Sequence, residues 1–443
     1  MRKRLFLFSL VLLLIVSSSA WAAVPQEEAI ANTSTSTVGE LPILRGEFAA
    51  LLVKTVELEG EGEPTDILIQ HGIMKGVPGK KADADRPIQR VEAATLVGRA
   101  LGLMDSVIPP ADTDISLPAD HWAYGSYAWL TRLGLVAGDP TAVLSQNEGA
   151  ALVKHAFQPT TEEVLAILQE SQTRSKSEEA ARVRVALNGK VRLLPRPGVE
   201  GAEEIPSFLA PELHMIQEMV LPNKIHQITT IELTLPELGA QKMVMESYLV
   251  DGKMYQQMPD PETGKLRWFK YPEGMMPDMQ KLIEQAQQQT QVIPPGLEET
   301  LFYKLLGTQE RNGEQVYEIA YYGRVDDMAE FMSTTLGSLG EGEFLGEAFG
   351  ATSSIIDSIS FWGITYVGAD DYLTRQANFG ALVTYAAEFQ GQPMPLQAVE
   401  ILMTTDEYSY GKDIDVTVPE EVLAAPELEI PEPQPEPELP SDQ

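Results

Sequence analysis

The sequence predicts an α+β protein: an all-α helical array over residues 41–158, then an antiparallel curved sheet over 181–422 with helices inserted on one side. Three observations carry this. Before residue 158, apolar residues recur at i, i+3, i+4 and i+7 in three similar segments. From about Ala181 the apolar rhythm changes to every second residue. Asn-Gly and Asp-Gly pairs punctuate that second part, as hairpins require.

The chain opens with Arg2, Lys3 and Arg4, an apolar run Leu5 to Val16, and Ala20-Trp21-Ala22, an A-x-A-like cleavage site. This is the pattern of a secretory signal peptide over 1–23, cut after Ala22 or Ala23. The apolar run is short for a spanning helix, and no later stretch is long enough, so a secreted, cell-envelope location is expected with no integral span after cleavage. Residues 24–40 include a Ser/Thr/Asn-rich stretch and read as a flexible leader. The chain has no cysteine, which excludes disulfides, thiolate catalysis and a lipid-modified cysteine, so the fold must rest on large cores. Formal net charge is −33, and loss of the three leader cations deepens it, which excludes nucleic-acid binding.

The three helical copies begin at Arg45-Gly46-Glu47, Arg90-Val91-Glu92 and Gln146-Asn147-Glu148. Between them lie helices ending in glycine, Gly72 and Gly134, each suited to positive φ at a helix C′ position, and each followed by a second glycine, Gly76 or Gly138. A repeat of about 50 residues with two helices cannot bury its apolar face alone and is read as a packed array. With Asp120-His121-Trp122-Ala123, the glycine pairs and the Arg-x-Glu-x-Ala helix start, segment 41–157 resembles the S-layer homology (SLH) domains. The resemblance implies a helical trefoil holding an anionic secondary cell-wall polymer or peptidoglycan, with Arg45, Glu47, Arg90, Glu92 and Trp122 as contacts. The third copy departs from the pattern by lacking the arginine, and the first lacks most of its preceding helical half. In the alternative reading the arginines pair locally and Trp122 is core.

Residues 159–180 read as a helical linker with Val164, Leu165 and Leu168 on one face. In the sheet region, strands are expected at 182–187 and 190–194 around an Asn188-Gly189 turn, then at 224–235, 242–250, 253–258 and 265–271. Helices are expected at 278–289, 297–306 and 326–336, and later strands at 315–322, 358–367, 372–382, 397–404 and 413–418. The run Glu246 to Tyr255 followed by Arg267-Trp268, and the ending Tyr408 to Glu421, resemble the LolA-like lipoprotein-carrier superfamily. That implies a half-barrel closed by helices around an apolar cavity, with lipid or a lipoprotein as partner. Met243, Met245, Met254, Trp268, Phe361 and Trp362 are the lining candidates, the flexible thioether suiting an adaptable cavity. Ordinary core packing is the competing role for each. The Pro/Glu-rich tail, within 423–443, is expected to be extended and solvated.

The five histidines fall in no metal-ligand spacing, and no nucleophile elbow, phosphate loop or calcium loop is present, so neither cofactor nor metal is expected and the protein is read as a non-enzyme. The expectation is a wall-anchored envelope protein that binds a hydrophobic ligand. The alternative is a structural surface-layer protein with no ligand cavity.

Overall fold

The structure is a computed structural model describing residues 41–428 except 77–82, 112, 178–179, 206–211, 222, 236–238, 261–262, 273–292, 294–296, 298–299, 327–354 and 390. The expected leader region 1–40, the helix expected at 278–289 and, beyond Asp326, the helix expected at 326–336 lie outside the described residues, as does the tail from 429.

Six helices come first: α1 Arg45–Thr55, α2 Pro64–Gln70, α3 Arg90–Ala100, α4 Tyr124–Arg132, α5 Gln146–Ala156 and α6 Glu162–Ser175. Helices α1, α3 and α5 start from three short extended segments that close on one another. Ile43 N donates to Leu144 O at 3.0 Å, Leu144 N to Ile88 O at 3.1 Å and Ile88 N to Ile43 O at 3.1 Å. Each copy thus satisfies its backbone through the next, so no copy is complete alone. Gly72 and Gly134 take φ +69° and +70°, closing α2 and α4 as the sequence predicts.

Eleven strands form one antiparallel sheet in the order β6-β5-β4-β3-β2-β1-β13-β10-β9-β8-β7. They are β1 Arg182–Pro195, β2 Glu212–Val220, β3 Lys224–Leu235, β4 Gly239–Val250, β5 Lys253–Pro259, β6 Leu266–Lys270, β7 Leu301–Arg311, β8 Glu314–Val325, β9 Ile356–Gly368, β10 Thr374–Tyr385 and β13 Leu396–Tyr410. A two-residue pair, β11 Glu388–Phe389 and β12 Gln392–Pro393, joins β10 to β13, and a last helix α7 spans Glu420–Leu423. Asp251-Gly252 and Asn312-Gly313 make the expected turns, with both residues of each pair at positive φ.

Four expectations are corrected. The chain does not turn at Asn188-Gly189: β1 runs straight through, paired along its length by β13 and for most of it by β2, and Gly189 sits so close to Met403 that a Cβ would lie 2.4 Å from its sulfur. The helix expected at 297–306 is strand β7 from Leu301, whose buried residues Leu301 and Phe302 face opposite sides and so mimic a helical stripe. No strand forms at 413–418, where Val416 instead packs on Tyr248, Val250 and Tyr255. The tail does not begin as a solvated spacer: Lys270 N donates to Pro426 O at 2.9 Å and Leu428 N to Lys270 O at 2.8 Å, covering the open edge of β6. Strand β2 was not anticipated, because polar Gln217 interrupts its apolar alternation of Leu213, Met215 and Met219.

The secondary structure changes between α6 and β1, but the core does not stop there. One apolar cluster joins Phe48, Leu68, Val97, Trp129 and Val153 of the helices to Phe302, Tyr322, Trp362, Ile364 and Leu382 of the sheet. Trp129 and Trp362 meet edge to face at 6.0 Å. Tyr322 Oη donates to Ala156 O at 2.8 Å. Two charged clamps flank this contact. Arg132 pairs with Glu318 at 2.5 Å beside Tyr366, whose ring lies 3.8 Å below the Arg311 guanidinium. Arg192 pairs with Glu400, which also accepts from Ile108 N at 2.6 Å. Helix α6 packs on the other side of the sheet, placing Val164, Ile167 and Leu168 against Tyr317, Ile319 and Val367.

Lys304 of β7 is buried, with no ion-pair partner among the described residues, and burial pushes its ammonium down to about 8. Burial also lowers the pKa of His155 in α5, and the nearby Lys304 charge lowers it further. The unfolded chain therefore binds more protons than the folded one between pH 8 and 10.5, so stability rises with pH through that window and the full cost is present at pH 7. Lys304→Met is expected to raise stability at pH 7 by about 2 kcal/mol and to flatten that rise, read by urea titrations at pH 7, 8.5 and 10. An unchanged pH profile would show that Lys304 is solvated.

Candidate functional site

Two arrangements could bind something: the charged starts of the ring helices and the sheet face turned away from the ring. At the helix starts the glutamates are occupied. Glu47 accepts from Leu44 N at 2.9 Å, Glu92 from Gln89 N at 3.1 Å and Glu148 from Ser145 N at 2.8 Å. All three complete the helix termini they begin. Glu92 is also gripped by both guanidinium nitrogens of Arg86, whose hydrogen bonds help hold the carboxyl below its ordinary range against the upward push of burial.

The arginines differ from one another. Arg90 donates to Asp139 O at 2.9 Å and to Glu148 at 2.7 Å, so its charge is spent within the ring. The Arg45 backbone N–H donates to Arg86 O at 2.9 Å, but its guanidinium makes no hydrogen bond among the described residues, and its Nε is buried without a partner. Burial lowers its pKa, with Glu92, Arg86, Asp83 and Arg99 as the charges around it. Trp122 is not core: it is 51% exposed, with its ring 5.4 Å from that of His121. Of the five residues expected to contact polymer, Arg45 and Trp122 thus present unused surface, and Glu47, Glu92 and Arg90 serve the ring. Sequence reading missed Arg86, which lies 41 positions from Arg45 and joins its charge environment only through ring closure.

Strand register assigns the expected cavity residues to faces. Met243 and Met245 stand opposite Ile231 and Thr229, Met254 stands opposite Leu249, and these share the inner face, turned away from the ring, with Phe361. Met243 is 47% exposed. The other two are corrections. Trp362 is wholly buried on the outer face under the ring, with Gly380 beside it leaving room for the indole. Trp268 is also on the outer face, packed on Tyr248 in the cluster that includes Val416 and Val422. A strand reverses its side chains at each residue, so an aromatic adjacent in sequence to a lining residue faces away from it.

Among the described residues, the inner positions of β1 to β4 and of β13 from Val399 to Tyr410 hold no Asp, Glu, Lys or Arg. The outer face of the same strands carries Arg184, Glu218, His226 and Glu246. Arg184 pairs with Glu218 at 2.6 Å, and His226 Nε2 lies 2.9 Å from Glu246. Burial pushes the Tyr303 hydroxyl, on the inner side of β7, up to about 12, and raises those of Tyr321 and Tyr408. No group of metal-ligating side chains is present among the described residues, and no helix among them is long and apolar enough to cross a membrane.

No protein-family model matches the sequence. No curated protein matches it either. Among solved structures, the chain is similar to LprF from Mycobacterium bovis at 11% identity, over 56% of this chain and 96% of that one, with a TM-score of 0.26. It is similar to the lipoprotein LppX from Mycobacterium tuberculosis at 9% identity, over 56% and 94% of the two chains, with a TM-score of 0.22. A DUF1329 family protein from Desulfovibrio piger gives 9% identity over 55% and 90%, with a TM-score of 0.19.

Proposed function

We propose that this protein is a non-enzymatic component of a bacterial cell envelope, whose sheet takes an apolar ligand on its inner face and whose helical ring holds an anionic wall polymer. The observation that carries the ligand half is the segregation of charge: one sheet uses its outer face for ion pairs and for the ring, and leaves the inner face of five strands uncharged and rich in methionine. Such a face suits a flexible hydrocarbon better than a rigid polar molecule. The polymer half is supported by Arg45, whose unspent donors match an acidic sugar, with the exposed Trp122 able to stack on a sugar ring.

The ligand half is tested by exporting the full chain from a bacterial host, extracting the purified protein with organic solvent and analysing the extract by mass spectrometry. A near-stoichiometric apolar compound is expected, and a clean extract would remove the reading. For the polymer half, Arg45→Gln is expected to lose at least about fivefold in retention on purified cell wall, the fold-change of one charge-assisted hydrogen bond. Equal retention would return Arg45 to a structural role, and no retention of the unaltered protein would end the anchor. A structural envelope role without ligand is the second reading, favoured by the shared core, in which the ring buttresses the sheet.

A further inference from the structure

Resting on the apolar-ligand reading, the strand register carries a more specific inference. Across the inner face, Gln217 stands opposite Gln227, Gln227 opposite Ser247, and Ser247 opposite Gln256. Four polar residues on four successive strands therefore form one band perpendicular to the strands. The rows on either side of it are mainly apolar: Met215, Thr229 and Met245 on one, Met219, Ile225, Leu249 and Met254 on the other. A solid core has no use for such a band, because burying an amide without full hydrogen bonding is unfavourable.

The band is under-bonded. Gln217, only 6% exposed, donates to Gln227 Oε1 at a long 3.4 Å, and Gln227 donates to Thr229 Oγ1 at 3.0 Å. Gln256 accepts from the Tyr271 hydroxyl. Each carboxamide can take part in four hydrogen bonds, so most of the band's donors and acceptors have no partner among the described residues. Among the described residues, the positions named in these rows hold neither cation nor anion, and Arg267, which stands opposite Met258 at the end of the flanking row, is already paired with Asp260 at 2.7 Å.

We infer that the band is the head-group register of the site. It hydrogen-bonds the uncharged ester, amide or hydroxyl groups of an amphiphile, whose hydrocarbon chains lie along the methionine rows on either side. The ligand class is a neutral acylated lipid, not a phospholipid and not a plain hydrocarbon. Amide side chains offer both donors and acceptors, so carbonyls and hydroxyls are accepted alike, while a buried phosphate would stand with no counter-charge.

The full chain is delipidated and offered three radiolabelled probes of matched chain length: dioleoylglycerol, dioleoyl phosphatidic acid and a long-chain alkane. Dioleoylglycerol is expected to bind at least about tenfold more tightly than either of the others, the worth of one to two neutral hydrogen bonds. Gln217→Leu/Gln227→Leu should erase its advantage over the alkane while alkane uptake persists, and Ser247→Ala, a milder change, should reduce it in part. Thermal melts show whether each variant is folded. Equal or tighter phosphatidic acid binding overturns the inference, as does a folded double variant that keeps the preference. Both outcomes leave the apolar site standing. Failure of all three probes to bind removes the apolar site and the band's role with it.

Discussion

Trp129→Ala is expected to unfold the helical ring and the sheet in one transition, with unfolding free energy lowered by about 3–5 kcal/mol. Trp129 is 1% exposed, its indole N–H donates to Ile108 O at 2.8 Å, and its ring meets Trp362 edge to face. Truncation leaves a cavity where neither side can close, because the sheet is fixed by its ladder and the ring by its closed hydrogen bonds. Trp362→Ala should cost a similar amount, and the double variant less than the sum of the two, with a coupling of at least about 0.5 kcal/mol. Urea titration followed separately by helical circular dichroism and by tyrosine fluorescence checks this. Two separated transitions, or a ring that melts unchanged in Trp362→Ala, would show that the cores are independent.

Glu400→Ala is expected to cost about 3–5 kcal/mol, because it strands the Arg192 guanidinium and the Ile108 N–H under the ring. Glu400 is wholly buried, and burial pushes its carboxyl up even though Arg192 and Ile108 N stabilise its charge. Desolvation thus outweighs the pairing, so the ion pair specifies the docking geometry more than it stabilises the fold. Arg192→Met/Glu400→Leu should accordingly recover most of the loss, and Glu400→Gln should fall between. Chemical denaturation of the three variants at one pH reads the order, and a double variant no better than Glu400→Ala would refute this account.

Much of the fold was legible along the chain because the relevant physics is local. The helix starts at Arg45, Arg90 and Gln146, the positive-φ glycines after α2 and α4, and the Asp251-Gly252 and Asn312-Gly313 turns each follow from a few neighbouring residues. The errors are equally physical. Asn188-Gly189 has the composition of a turn, but two neighbouring strands hold it extended. Leu301 and Tyr303 on one side and Phe302 on the other are all apolar or aromatic because both faces of the sheet are covered there, which hides the two-residue rhythm.

The candidate sites divide the same way. Sequence alone determined which residue types could bind: the helix-start arginines, Trp122 and a methionine-rich set of strands. Only the tertiary structure decided that Arg90 is spent and Arg45 is not, that Trp362 belongs under the ring, and that Gln217, Gln227, Ser247 and Gln256 stand in one row. Side-chain alternation and helical caps are properties of short stretches of chain, whereas register and ion pairing depend on residues far apart in sequence, which only the closed ring and the paired sheet bring together.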